Sequence, residues 1–113
     1  MAEPPAGLDL RPAHWAMVEA ILKAHLADRE VWAFGSRTKG NAKPYSDLDL
    51  VVMGDTPLGL STSAALSEDF SESDLPWRVD VVDWATTSEE FRKIISAHRI
   101  RVHSPDTAPY NPR

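Results

Sequence analysis

The stretch Asp47-Leu48-Asp49-Leu50-Val51-Val52 constrains this chain more than any other. Successive side chains of a strand point to opposite faces, so Asp47 and Asp49 share one face while Leu48, Leu50 and Val52 share the other. One face is suited to burial and one to charge. Two carboxylates held side by side repel each other unless a cation or a proton lies between them, and oxygen-only ligation is what Mg²⁺ prefers. Taken alone, an Asp-x-Asp pair is common at solvated strand ends, so its meaning depends on what the rest of the chain sets beside it.

A length of 113 residues suits one domain with a single modest core. Residues 1–9 hold Pro4, Pro5 and Gly7 without periodicity and read as a flexible N-terminal arm. Pro12 suits a first helical turn, and Trp15, Val18, Ile21, Leu22 and Leu26 follow at spacings of three and four, predicting an amphipathic helix over roughly 11–27. The run 31–34 predicts a first strand that stops at Gly35, and 47–53 a second that ends at Gly54 and Pro57. A weak helix is expected within 58–73, and the most strand-like segment of the chain is 77–84. Thr87 with Glu90 forms a capping box for a last helix at about 88–98, which carries Phe91, Ile94 and Ile95. A short strand over 100–103 closes the domain, taken as 10–103, and 104–113 reads as a flexible tail with three prolines.

Composition narrows the function classes. With 42% hydrophobic and 26% charged residues the chain matches ordinary globular proteins. It has no cysteine, which removes disulfides, thiolate metal sites and a Cys nucleophile, and makes a reducing cytoplasm the simplest location. No apolar run is long enough to span a membrane, and the first residues lack the basic flank and apolar core of a signal peptide. A net charge of −5 repels a phosphate backbone, so direct nucleic-acid binding by the whole surface is not expected.

The strand over 77–84 supplies a third carboxylate by the same alternation. With Val79 and Val81 packed beside Leu48 and Leu50, Asp80 emerges on the face of Asp47 and Asp49, and Asp83 on the other. Asp83 remains the fallback should the strand bulge. The Gly35-Ser36 turn, where the first strand ends, offers backbone N–H groups and a hydroxyl to a phosphate. The loop after it holds Arg37, Lys39 and Lys43, a basic island in an acidic chain.

Gly35-Ser36, ten residues, then Asp47-Leu48-Asp49, with a further acidic strand downstream, resembles the signature of the nucleotidyltransferase superfamily related to DNA polymerase beta. With FGSRTKGNAKPYSDLDLVV and later WRVDVVDW, the chain is similar to a minimal nucleotidyltransferase of the HEPN/MNT toxin–antitoxin pairs. The resemblance runs from about Leu10 to His103. It implies an α/β (α+β) fold of the polymerase-beta palm type, a small mixed β-sheet with helices packed on one face.

It further implies that Gly35 and Ser36 hold the triphosphate and that Asp47 and Asp49 bridge two Mg²⁺ ions. Asp80 would bind the ion that activates an acceptor hydroxyl, and Arg37 and Lys39 are candidates for the outer phosphates. Two metals that clamp an in-line displacement at the α-phosphate need no covalent protein nucleophile. The substrate implied is a nucleoside triphosphate, ATP in first place. Larger relatives add a domain for the acceptor; here the acceptor must come from elsewhere, and the resemblance implies a small helical HEPN partner. The transferase would either attach AMP to one of its hydroxyls or neutralise it by binding alone.

Overall fold

Pro12 opens helix α1 (Pro12–His25) at the one place where a residue without an N–H costs nothing, and Trp15, Val18 and Leu22 form its buried stripe. The computed structural model describes residues 3–105, so the expectation for the tail from 106 onward lies outside the described residues. The remaining elements are β1 (Val31–Phe34), β2 (Leu48–Val52), α2 (Leu60–Glu72), β3 (Val79–Asp83), α3 (Glu89–Ala97) and β4 (Arg99–His103). Short 3₁₀ turns at Ser36–Thr38 and Trp84–Thr86 follow β1 and β3.

The four strands form one mixed sheet in the order β3-β2-β1-β4. β1 is antiparallel to both β2 and β4, and β2 and β3 run parallel. A parallel pair cannot be joined by a hairpin, and α2 makes the crossover between them. Val31, Ala33, Leu48, Leu50 and Val52 face α1 and α2 and meet Val18, Leu22, Leu66 and Phe70 in the main core. Leu48, Leu50 and Val52 are at 0% exposure, as the alternation read in β2 requires, but Val51 on the other face is buried as well.

Three expectations are corrected. The helices do not all lie on one face: α3 packs on the opposite side, where Ile95 and Phe91 cover Phe34, Val51, Trp32 and Val82. The apolar residues of β1 and β2 continue on both faces, so each face needs a cover. The cap of α3 is Ser88, whose Oγ accepts from Phe91 N at 3.2 Å, while the Thr87 hydroxyl donates to Asp83 O at 2.7 Å. A hydroxyl one residue nearer the helix, with the bridging backbone already extended, wins the capping position. The arm is also shorter than expected: Leu8 is buried in the main core and Asp9 N–H donates to Arg37 O at 2.8 Å. A single apolar residue leaves no periodicity by which to be recognised.

Candidate active site

The parallel register of β2 and β3 sets Asp49 directly beside Asp80. On its other side Asp49 pairs with Phe34 of β1, which faces α3, so both carboxylates stand on the α3 face of the sheet. Asp47 precedes β2 by one residue, and Leu48 N–H donates to Arg78 O at 2.9 Å, which holds that end of the two strands together. Asp83, with the opposite parity, pairs with Val52, and its Oδ2 accepts from Leu58 N at 2.7 Å to fix the approach to α2. Asp47, Asp49 and Asp80 therefore form one group and Asp83 lies outside it.

Burial first, then the charges of Asp80 and Asp47, raise the Asp49 carboxyl to about 6. Arg78 partly offsets this crowding: its Nη2 lies 3.2 Å from Asp80 Oδ1 and 3.8 Å from Asp47 Oδ2. Arg78 was not among the residues expected from the sequence, although its parity with Asp80 on the approach to β3 is the signal that finds it.

The turn after β1 comes close to these carboxylates. Gly35 has φ +84° and ψ −160°, a region open essentially to glycine alone. A Cβ there would collide with the Asp49 carboxylate. Glycine is thus required twice, by conformation and by close approach. Ser36 begins the 3₁₀ turn, which is closed by Thr38 N–H and Oγ donating to Gly35 O at 3.0 and 2.7 Å. Lys39 is exposed and lines a cleft of about 510 Å³ with Gly35, Asp49 and Asp80. The far wall of this cleft is made by Phe91, Ile94 and His98, contributed by the last helix and its cap. No local pattern marks His98, because only the packing of α3 brings it there.

Arg37 departs from expectation. It is 5% exposed, and its guanidinium donates to Ser46 O, Asp9 O and Pro44 O at 3.0, 2.9 and 3.2 Å while stacking over the Trp77 ring at 4.6 Å. Burial lowers its pKa, with Asp9 and Asp47 acting in the opposite direction. With these donors satisfied by carbonyls, Arg37 organises the loop rather than facing the cleft.

The donor set fits a hard divalent cation, being all oxygen with mutual repulsion to relieve. Among the described residues no three His, Cys, Asp or Glu side chains converge on one metal position. The arrangement suits ions held by one or two carboxylates and completed by water and phosphate oxygens, which is the habit of Mg²⁺. No helix among the described residues is long and apolar enough to cross a membrane.

Known proteins resemble this chain in sequence and in fold. The family model for the nucleotidyltransferase domain matches residues 16–104. The probable protein adenylyltransferase MntA of Haemophilus influenzae is 57% identical over 90 residues, covering 80% of this chain and 79% of that protein. In fold, the chain resembles a crystal structure of a toxin–antitoxin with AMP-PNP, at a TM-score of 0.67 and 20% identity over 80% of this chain and 73% of that one. A crystal structure from Shewanella oneidensis matches at a TM-score of 0.59 and 18% identity, over 80% and 69% of the two chains.

Proposed function

The chain belongs to the nucleotidyltransferase domain family, as an MNT-type nucleotidyltransferase, and from that membership we propose that it transfers AMP from ATP to a hydroxyl of a helical HEPN partner, as the antitoxin of a toxin–antitoxin pair. The adenylyltransferase relative and the fold shared with a toxin–antitoxin structure support the reaction and its setting. A cytoplasmic site of action is in keeping with a chain that has no cysteine. The observation that carries the reading is the in-register pair Asp49 and Asp80, with Asp47 beside them and the Gly35 turn pressed against Asp49.

Asp47, Asp49 and Asp80 would hold Mg²⁺, which when bound supplies charge neutralisation at the phosphates and a more acidic acceptor hydroxyl. Gly35 lets the turn sit against the Asp49 carboxylate, and Ser36, which begins the turn, would offer a hydroxyl and an N–H to a phosphate. Lys39 adds positive charge on the same side of the cleft. Without a cation, three carboxylates repel a triphosphate, so nucleotide binding requires a divalent ion.

The test is to mix the protein with ATP, Mg²⁺ and the product of the neighbouring reading frame and to measure intact mass. The neighbour gains one or more AMP units, and the gain is lost with Asp47→Asn or Ser36→Ala. A neighbour that stays unmodified, yet is inhibited equally by wild type and Asp47→Asn, would leave neutralisation by contact as the function.

A further inference from the structure

Tyr45 is the one tyrosine among the described residues and is 77% exposed. The backbone that carries it is held in place. It lies inside the turn closed by Ser46 N–H to Lys43 O at 3.0 Å and by Lys43 N–H to Ser46 Oγ at 2.8 Å. The carbonyls on either side of it, those of Pro44 and Ser46, both accept from the buried Arg37 guanidinium. The backbone is therefore clamped on both flanks of a side chain that itself takes no hydrogen bond or ring partner among the described residues.

The clamped turn sets Tyr45 at the rim of a cavity that two of the carboxylates also line. Tyr45 lines this cavity, of about 640 Å³, together with Asp47, Arg78, Asp80 and, from α2, Ser67 and Ser71; of these residues only Asp80 also lines the cleft of Lys39 and His98. The cavity thus holds a free phenol, two of the three carboxylates proposed for catalysis, and a cation able to stand beside a phosphate. Ser46, the nearest alternative hydroxyl along the chain, is engaged as an acceptor within the turn.

We infer that Tyr45 is a built-in acceptor, and that the chain adenylylates its own Tyr45 in an intramolecular reaction. This rests on the nucleotidyl transfer proposed above. The phenolic oxygen of Tyr45 attacks the α-phosphorus of ATP, the bond from that phosphorus to the bridging oxygen breaks, and pyrophosphate leaves. The phenolic proton passes to solvent, and the product is a tyrosyl phosphodiester of AMP with no change of oxidation state. Arg78 then faces the single negative charge of the diester. Because acceptor and site lie on one chain, the reaction is first order in protein.

The experiment incubates the purified chain with ATP and Mg²⁺, with and without the neighbouring gene product, and follows intact mass and peptide maps. The expected result is one AMP on the chain, mapped to Tyr45, lost in Tyr45→Phe and in Asp47→Asn, at a rate constant unchanged on dilution. Tyr45→Phe keeps its melting temperature and still modifies the neighbour. Modification of the neighbour with none on Tyr45 overturns the self-modification and leaves the proposed function standing. Absence of AMP on either protein overturns both. AMP on Ser67, Ser71 or Tyr110 instead, or a rate constant that rises with protein concentration, also overturns the inference.

Discussion

The two faces of the sheet carry similar strand residues but end differently. Under α1 and α2, Val31, Ala33, Leu48, Leu50 and Val52 are sealed at 0% exposure along the length of their strands. Under α3 the same strands pass from Val51 and Val82 to Phe34 and then to Asp49 and Asp80. The difference lies in the cover: α3 has nine residues, a span of only about 14 Å at the helical rise, while α1 and α2 have fourteen and thirteen. A short helix leaves one end of its face open, and there charge can stand against a rigid, fully buried floor. The sealed face makes the fold, and the half-covered face carries the candidate site.

That division predicts opposite outcomes for neighbouring residues of β2. Asp49→Asn abolishes transfer to undetectable levels while the folded state persists, because the side chain faces the cleft and the change removes repulsion. Leu50→Ala leaves a cavity in the sealed core and costs about 2–5 kcal/mol in a denaturant titration. A variant pair that lost activity and stability together would break the distinction between the faces.

Gly35→Ala tests where the faces meet. The conformation alone costs about 1–3 kcal/mol, and the added methyl displaces the Asp49 carboxylate, so thermal stability and transfer both fall. Calorimetric nucleotide titration in EDTA, compared with Mg²⁺, separates the contributions, since binding in the wild type disappears when the divalent ion is removed.

Two bases of one loop sharpen the contrast further. Arg37→Ala removes three hydrogen bonds and a ring contact and destabilises by about 2–3 kcal/mol. Lys39→Ala leaves the melting temperature unchanged and raises KM for the nucleotide. The opposite pattern would exchange their roles.

The smallest effect is one of pH. In the metal-free protein the folded state holds the Asp49 proton more tightly than the unfolded chain does, with a pKa of about 6 against an ordinary 3.8. The associated stability is full below pH 3.8 and is lost as the pH rises through about 6. A series of melting temperatures across that range falls with rising pH, and in Asp49→Asn this component is absent.

The main elements could be read from local periodicity: the three-and-four spacing of α1, the alternation of β2, the parity that separates Asp80 from Asp83. That Asp49 and Asp80 stand on one face and Asp83 on the other was legible for the same reason, since parity fixes a face before any neighbour is known. Packing alone settles that α3 covers the carboxylate face, that Leu8 enters the core and that Arg37 clamps the loop around Tyr45. These depend on contacts between segments far apart in the chain, such as Arg37 with Asp9 or His98 with the Gly35 cleft. A guanidinium reads the same in sequence whether its donors meet a phosphate or three carbonyls, and only the packed chain sets which acceptors lie within reach.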